Sequence, residues 1–336
     1  MKIAVIGSGG WGLATAKLLS ENGHEVASWS YFEEEAEQLR RCRGNEKLLP
    51  GITLPDNIAV TTDIACAAEA ELVVIAVPSY AVSSTAESLA QHVHKGQTAV
   101  LLSKGFDKTR GYCLLSDTLQ ECFGEDVPVV ALTGPSHAEE VARGVLTAVL
   151  AASKDAAAAE RVQTAFMNGY FRVYTSRDIV SAELGGAMKN IMALAVGISD
   201  GAGFGDNTKA LIMTRGIAEM SRLGIALGGR AETFAGLSGV GDLIVTCISQ
   251  HSRNRRAGLL IGGGMAPDEA AREVGAVVEG FYAAEAVQRL AAEKNIDMPL
   301  STTIYSLIFE GLPLQEAVHM LMSREKRPEN DMDMRL

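Results

Sequence analysis

The chain has 336 residues, 47 % of them hydrophobic, and a formal net charge of −11. That length is more than one ordinary domain holds and the composition suits a large core, so two domains are expected. The negative charge argues against nucleic acid or an anionic membrane as the main partner, and an anionic substrate would need its own local basic cluster.

Residues 2–6 predict a strand and residues 12–22 a helix closed by Gly23. A second strand follows at 25–30, an acidic helix at 33–41 and a weak strand at 58–61. Residues 72–77 (LVVIAV), ended by Pro78, form an unbroken apolar run that suits a parallel strand covered on both faces. Strands at 100–103, 127–132, 147–152 and 171–174 continue the series. Strands alternating with helices imply βαβ crossovers and a doubly covered, mainly parallel sheet. Beyond residue 178 strand signals stop, and helices are predicted over 179–199, 207–226, 267–273, 280–294, 301–309 and 314–323. The expected division is an α/β dinucleotide-binding domain (1–177), an all-helical domain (178–324) and a loosely ordered tail (325–336). No Pro/Gly/Ser hinge marks the boundary, so the domains should pack firmly around a cleft.

Gly7, Gly9 and Gly12 fit G-x-G-x-x-G. The pattern gains meaning from lying after a strand and opening a helix. Gly7 would permit the sharp turn, Gly9 close approach of a pyrophosphate, and Gly12 helix-on-strand packing, with the helix N-terminus facing the phosphates. The bland reading is a glycine-rich turn that binds nothing. The second strand ends at Ser30, where an Asp or Glu would read the ribose hydroxyls of NAD. The chain has Ser30, Tyr31 and Phe32 there, then three glutamates, with neither acid nor arginine at the tip. A serine can bond a phosphate and Tyr31 can lie over adenine, which favours NADP(H) slightly over NAD(H).

Lys104 follows the strand in LLSKGF, at the edge where open α/β sheets bind ligands; it reads as a ligand contact or as a solvated loop lysine. In TGPSHA, Gly134 and Pro135 bend the chain and Ser136 can cap the next helix, touch a ligand, or do both. Gly185 and Gly186 interrupt the next helix, at roughly 1 kcal/mol each unless close packing requires them. Lys189 shares an apolar face with Met192, Ala193 and Val196. It either snorkels, or is buried with a lowered pKa as an acid/base group. Asp242 in GLSGVGDLIVTC is a partner for Lys189 or a helix N-cap. HSRNRR is the dense basic patch: Arg253 offers a phosphate-shaped fork and Ser252 and Asn254 add hydrogen bonds, unless it is a solvated helix face.

The five cysteines (Cys42, Cys66, Cys113, Cys122 and Cys247) are odd in number and without C-x-x-C spacing. They read as reduced thiols, with no metal site. Residues 3–6 are too short for a signal-peptide core and no uninterrupted apolar run approaches the roughly 18 residues of a span. A soluble cytoplasmic protein is expected.

Taken in order, GSGGWG, SKG, TGPSHAEEVARG, GGAMKNIMALAVGISDG, TRGIAEMSRLG, GLSGVGDLIVTC, HSRNRR and VVEG resemble the bacterial NAD(P)-dependent glycerol-3-phosphate dehydrogenases across nearly the whole chain. The resemblance implies a Rossmann-type domain, a helical domain like that of 6-phosphogluconate dehydrogenase, and reduction of dihydroxyacetone phosphate to sn-glycerol 3-phosphate for phospholipid synthesis. It makes Lys189 the proton donor/acceptor. Lys104, Gly134, Ser136, Asp242, Ser252, Arg253 and Asn254 would contact substrate. Gly10, Trp11, Tyr31, Lys104, Ala138, Arg253, Val277 and Glu279 would contact NADP or NAD, alongside the cradle glycines Gly7, Gly9 and Gly12 and Ser30 at the ribose position. The implied partner is a small phosphate substrate; a homodimer is compatible with the sequence, which specifies no oligomeric state. Gly10 stands where serine is common, and the Arg or His often found near Ser30 is absent. The rival readings are a β-hydroxyacid or ketopantoate reductase, which needs no HSRNRR, and a cofactor-binding sensor, which needs no paired Lys189 and Asp242.

Overall fold

The structure, a computed structural model, describes residues 1–275, 277–326 and 328–329. Most of the tail expected to be loosely ordered lies outside the described residues. Ten strands occur in chain order: β1 (Lys2–Ile6), β2 (Glu25–Trp29), β3 (Ala59–Thr61), β4 (Leu72–Ile75), β5 (Thr98–Leu101), β6 (Phe106–Asp107), β7 (Cys113–Leu114), β8 (Val129–Thr133), β9 (Thr147–Ala152) and β10 (Phe171–Ser176). Helices α1 (Gly10–Glu21), α2 (Glu33–Cys42), α3 (Val82–Leu89), α4 (Leu115–Phe123), α5 (Ala138–Ala142) and α6 (Ala156–Phe166) connect them. After β10 come α7 (Ile179–Gly201), α8 (Asp206–Ala226), α9 (Ala231–Phe234), α10 (Asp242–Ile248), α11 (Arg253–Gly262), α12 (Pro267–Val274), α13 (Glu279–Lys294), α14 (Pro299–Phe309) and α15 (Leu314–Met322).

Eight strands form one sheet in the order β10-β9-β8-β5-β4-β1-β2-β3. Side chains alternate between its faces, as the two-residue strand period requires. Ile3, Val5, Val74, Val100 and Val130 pack with Leu13, Leu18 and Phe166 on one side. Ala4, Ile6, Val73, Ile75 and Leu101 pack with Val82, Leu89, Leu115 and Leu119 on the other. This double cover explains the uninterrupted apolar runs.

The sheet departs from the expected parallel series at one place. β9 runs antiparallel to β8, and β10 pairs parallel with β9. The β8–β9 connection contains only the five-residue α5, about 7.5 Å of helix, too short to return along the sheet face. The chain re-enters from the edge it left, which keeps residues 134–137 beside the other strand ends. The β6–β7 ribbon also escaped the sequence reading, because two-residue strands carry no periodicity.

Helix α7 is the axis of the helical domain. Its residues from Ile179 to Ser199 are buried except the half-buried Val180, and α8, α10, α11, α13 and α14 pack around it. It is long and apolar enough to cross a membrane by length and composition, yet 94 % of the apolar window is buried inside this fold. Gly185 and Gly186 do not interrupt it. A Cβ on Gly185 would lie 2.2 Å from the Ser238 carbonyl oxygen, and one on Gly186 would lie 3.0 Å from Thr133 Oγ1. Close packing against neighbours is therefore what these glycines serve. The α7–α11 contact is built the same way: a Cβ on Gly197 would lie 2.2 Å from the Arg255 oxygen, and one on Gly258 would lie 2.2 Å from the Leu194 oxygen.

Gly197→Ala should therefore push α11 off α7 and destabilise the protein by about 1–3 kcal/mol. Equilibrium urea unfolding should show a lower midpoint, and an unchanged midpoint would contradict this packing.

Candidate active site

The carboxyl ends of β1, β2, β4, β5 and β8 share one edge of the sheet, and α7 passes across it. Lys104 lies beyond β5, Gly134 beyond β8, and Lys189 on the buried flank of α7. Lys189 Nζ donates to Asp242 Oδ1 at 2.5 Å and to Thr246 Oγ1 at 2.9 Å. Lys104 Nζ donates to Asp242 Oδ2 at 2.7 Å and to the Gly134 carbonyl at 3.1 Å. Asp242 is 1 % exposed and Lys189 8 %. Each ammonium has three hydrogens and spends two on these partners, so each keeps one for a ligand.

Burial pushes the Lys189 ammonium down to about 8; the Asp242 carboxylate opposes the shift and the Lys104 charge assists it. Burial alone would raise Asp242, but the two ammoniums prevail and hold its carboxyl below the ordinary range. The snorkelling alternative for Lys189 is not what is observed, nor is Asp242 an N-cap. Gly241 occupies that position on α10, and the Asp242 carboxylate turns inward.

Two residues of the cluster escaped the sequence reading. Thr246 lies one helical turn after Asp242, and its hydroxyl also donates to the Asp242 carbonyl at 2.6 Å. The i, i+4 spacing from Asp242 was the available signal. His137, in TGPSHA, has a buried Nε2 without a hydrogen-bond partner among the described residues. Burial and then the Lys189 charge lower its pKa, so the ring is neutral at pH 7. Ser136 does not cap α5, whose N-cap is His137. The Ser136 hydroxyl donates to the Gly134 carbonyl at 3.0 Å instead.

HSRNRR straddles the start of α11. Ser252 is its N-cap, accepting from the Arg255 N–H at 3.2 Å. Asn254 is buried: its Nδ2 donates to Asn190 Oδ1 at 2.9 Å and its Oδ1 accepts the Gly280 N–H at 2.8 Å. Asn254 thus ties α11 to α7, beside Lys189, and to α13. Arg253 is exposed at the helix start, near enough to Glu279 for its charge to act on that carboxyl. Glu279 opens α13 and accepts the Ser79 hydroxyl at 2.6 Å, joining the two domains, while burial raises its pKa. Val277 borders a cavity with Lys108, Phe281, Tyr282 and Phe309.

The glycine loop has the geometry of a phosphate cradle. Gly7 has φ 123°, and a Cβ there would meet the Ala76 oxygen at 2.8 Å. A Cβ on Gly12 would lie 2.0 Å from the Gly7 oxygen, whereas one on Gly9 would point into open space. Gly9 is the N-cap of α1, with no side-chain cap and no acid in the first turn, leaving N–H groups for an anion. A Cβ on Gly10 would approach the Ala138 methyl at 3.8 Å, so Ala138 adjoins the loop. Trp11 is half-buried against the core beneath it. These residues fit a dinucleotide pyrophosphate.

At the tip of β2, Tyr31 is 74 % exposed, edge-on to Trp29 and Phe32. Ser30 is fully buried, and its hydroxyl contacts Ser8 Oγ at 2.8 Å and Glu35 Oε2 at 3.3 Å. Ser8 Oγ also donates to Glu35 Oε2 at 3.0 Å. The expectation that the tip carries no acid is corrected: Glu35 arrives from the first turn of α2, where sequence order alone does not place it.

Comparisons with known proteins agree with this geometry. Profiles described as the N-terminus and the C-terminus of NAD-dependent glycerol-3-phosphate dehydrogenase match residues 2–159 and 178–319. The chain is 48 % identical over 330 residues to a Thermoanaerobacter sp. protein named glycerol-3-phosphate dehydrogenase (NAD(P)+), covering 98 % of this chain and 99 % of the relative. It is 46 % identical over 331 residues to one of the same name from Fusobacterium nucleatum, covering 98 % of each. A crystal structure of glycerol-3-phosphate dehydrogenase from Coxiella burnetii superposes with a TM-score of 0.91 at 35 % identity, covering 96 % of this chain and 99 % of that one. A doubly wound dinucleotide-binding sheet, a helical domain and a carboxylate-bridged lysine pair at their junction thus belong to a member of the NAD-dependent glycerol-3-phosphate dehydrogenase family.

Proposed function

We propose that this chain reversibly reduces dihydroxyacetone phosphate to sn-glycerol 3-phosphate with NAD(P)H, supplying glycerophospholipid synthesis. The observation that carries this is the Lys189–Asp242–Lys104 bridge at the sheet edge, one N–H of each lysine uncommitted. Gly7, Gly9, Gly10, Gly12 and Ala138 would hold the dinucleotide, which supplies the hydride when bound. Arg253, at the N-terminus of α11, binds the substrate phosphate, with Ser252 beside it. Asn254 keeps that helix end in register with Lys189, and the second hydrogen on its Nδ2 is left for the phosphate. As hydride reaches C2, negative charge grows on its oxygen. Lys189 stabilises that charge and gives up a proton to it, while Asp242 and Thr246 hold the ammonium in place. In the oxidative direction neutral Lys189 accepts the proton. Lys104, anchored by the Gly134 carbonyl, adds the second positive charge a dianionic substrate needs in an acidic protein.

The same proposal includes the division into domains at 177/178 with the helical domain ending at 324, a cytoplasmic location, for which the five unpaired cysteines argue, and a homodimer, which sedimentation can check. The phosphate-free rivals are separated by substrate: turnover of a keto acid in preference to dihydroxyacetone phosphate would end this reading.

Lys189→Ala should lower kcat by about 10²–10⁴-fold while calorimetry still detects dinucleotide binding; retention of most activity would refute the role. Because reduction needs the protonated amine and its pKa is about 8, kcat/KM for reduction should fall above that pH and that for oxidation should rise through it. Flat profiles in both directions would exclude Lys189 as the proton carrier. Arg253→Ala should raise the KM for dihydroxyacetone phosphate by about tenfold or more, the scale of one lost charge-assisted bond. An unchanged KM would remove Arg253 from the phosphate site.

A further inference from the structure

The tip of β2 determines which dinucleotide is accepted, because the adenosine ribose of a bound cofactor falls there. In this chain the strand ends in Ser30 instead of an acid, but a carboxylate is present in space. Glu35 stands in the first turn of α2 and is half-buried. A glutamate at this third helical position can reach back to the N–H of the cap residue, here Phe32. It does not: α2 has no side-chain cap, and Glu35 Oε2 turns across the strand tip to accept Ser8 Oγ at 3.0 Å, with Ser30 Oγ at 3.3 Å, whose hydrogen it shares with the Phe32 carbonyl at 3.2 Å. Ser8 lies between Gly7 and Gly9, so the carboxylate is anchored to the phosphate loop itself. Oε1 has no protein partner among the described residues and is open to a ribose hydroxyl.

We propose that Glu35 is the specificity-determining residue of the dinucleotide site: reaching the strand tip from α2, it accepts the adenosine ribose hydroxyls and excludes a 2′-phosphate, making the enzyme selective for NAD(H). The inference rests on the dehydrogenase reading above and deepens it.

The commitments of the neighbouring side chains point the same way. Ser8 and Ser30, the hydroxyls that could have bonded a 2′-phosphate, have their two hydrogens taken up among the carboxylate, each other and the Phe32 carbonyl. Arg40, on the same helix, is turned away, to Glu33 at 2.6 Å and the Val60 carbonyl at 3.1 Å. Arg43 is spent on the Pro55 and Ile58 carbonyls. A 2′-phosphate would thus meet a carboxylate with these two cations committed elsewhere, which is discrimination by repulsion. The geometry reverses the slight preference for NADP(H) drawn from Ser30 alone.

The test is calorimetric titration of the full-length protein and of Glu35→Gln with NADH and with NADPH. Glutamine keeps the size and can still accept from both serines, but removes the charge. The wild-type Kd for NADH should be at least about tenfold below that for NADPH. In Glu35→Gln the ratio should narrow by about tenfold, chiefly through tighter NADPH binding. A wild type that binds NADPH as tightly as NADH overturns the proposal, and so does a ratio that Glu35→Gln leaves unmoved, as expected if Glu35 merely braced the loop. Should the variant fail to fold, the wild-type pair of titrations decides alone. Equal binding of both dinucleotides defeats only the selectivity; binding of neither defeats the dehydrogenase reading itself.

Discussion

The structure depends on one buried carboxylate that holds two ammonium groups from different domains. Asp242 is almost wholly out of water and could not stay ionised there unaided. Lys104 from the sheet and Lys189 from α7 supply the compensation, and their attraction to Asp242 fixes the sheet edge against the helical domain. The arrangement leaves one excess positive charge at the site. Burial is what chiefly depresses Lys189, with the Lys104 charge assisting, and the excess charge gives an anionic ligand a reason to bind within a protein of net charge −11. Removing Asp242 would leave two like charges facing each other in a dry setting, whereas removing either lysine would leave one pair intact.

Glycine makes the surrounding framework possible. Gly185 and Gly186 let α7 lie close to residues 238 and 133, which brings Lys189 within reach of Asp242. Gly197 and Gly258 let α11 lie against α7, where Asn254 meets Asn190, the residue after Lys189. The dinucleotide end uses the other property of glycine: Gly9 leaves space in front of the α1 N-terminus. The two ends of the cleft are thus shaped by missing side chains, and the charges between them are placed by helices that could not otherwise approach.

Much of this was legible in the chain. The apolar runs gave the strands because both sheet faces are covered, and 3.6-residue periodicity gave the long helices. Lys189 and Asp242 were visible as charges inside apolar segments. What could not be read were relations set in three dimensions. The reversal at β9 follows from the shortness of α5, a helix too brief to register. Nothing in HSRNRR tells that Asn254 also ties α11 to Asn190 and to Gly280. Thr246 carried no anomaly of its own, and nothing in the run of three glutamates singles out Glu35. Its turn back towards Ser8 and Ser30 depends on how α2 leaves the sheet.

The measurement that bears most directly on this account is an NMR titration of the lysine side-chain nitrogens, with the Lys189 signal assigned by its loss in Lys189→Met. Lys189 should titrate near pH 8, and Asp242→Asn should move it lower still, because the carboxylate is what supports the ammonium. An ordinary lysine titration near 10.5 that is indifferent to Asp242→Asn would contradict the account at its centre.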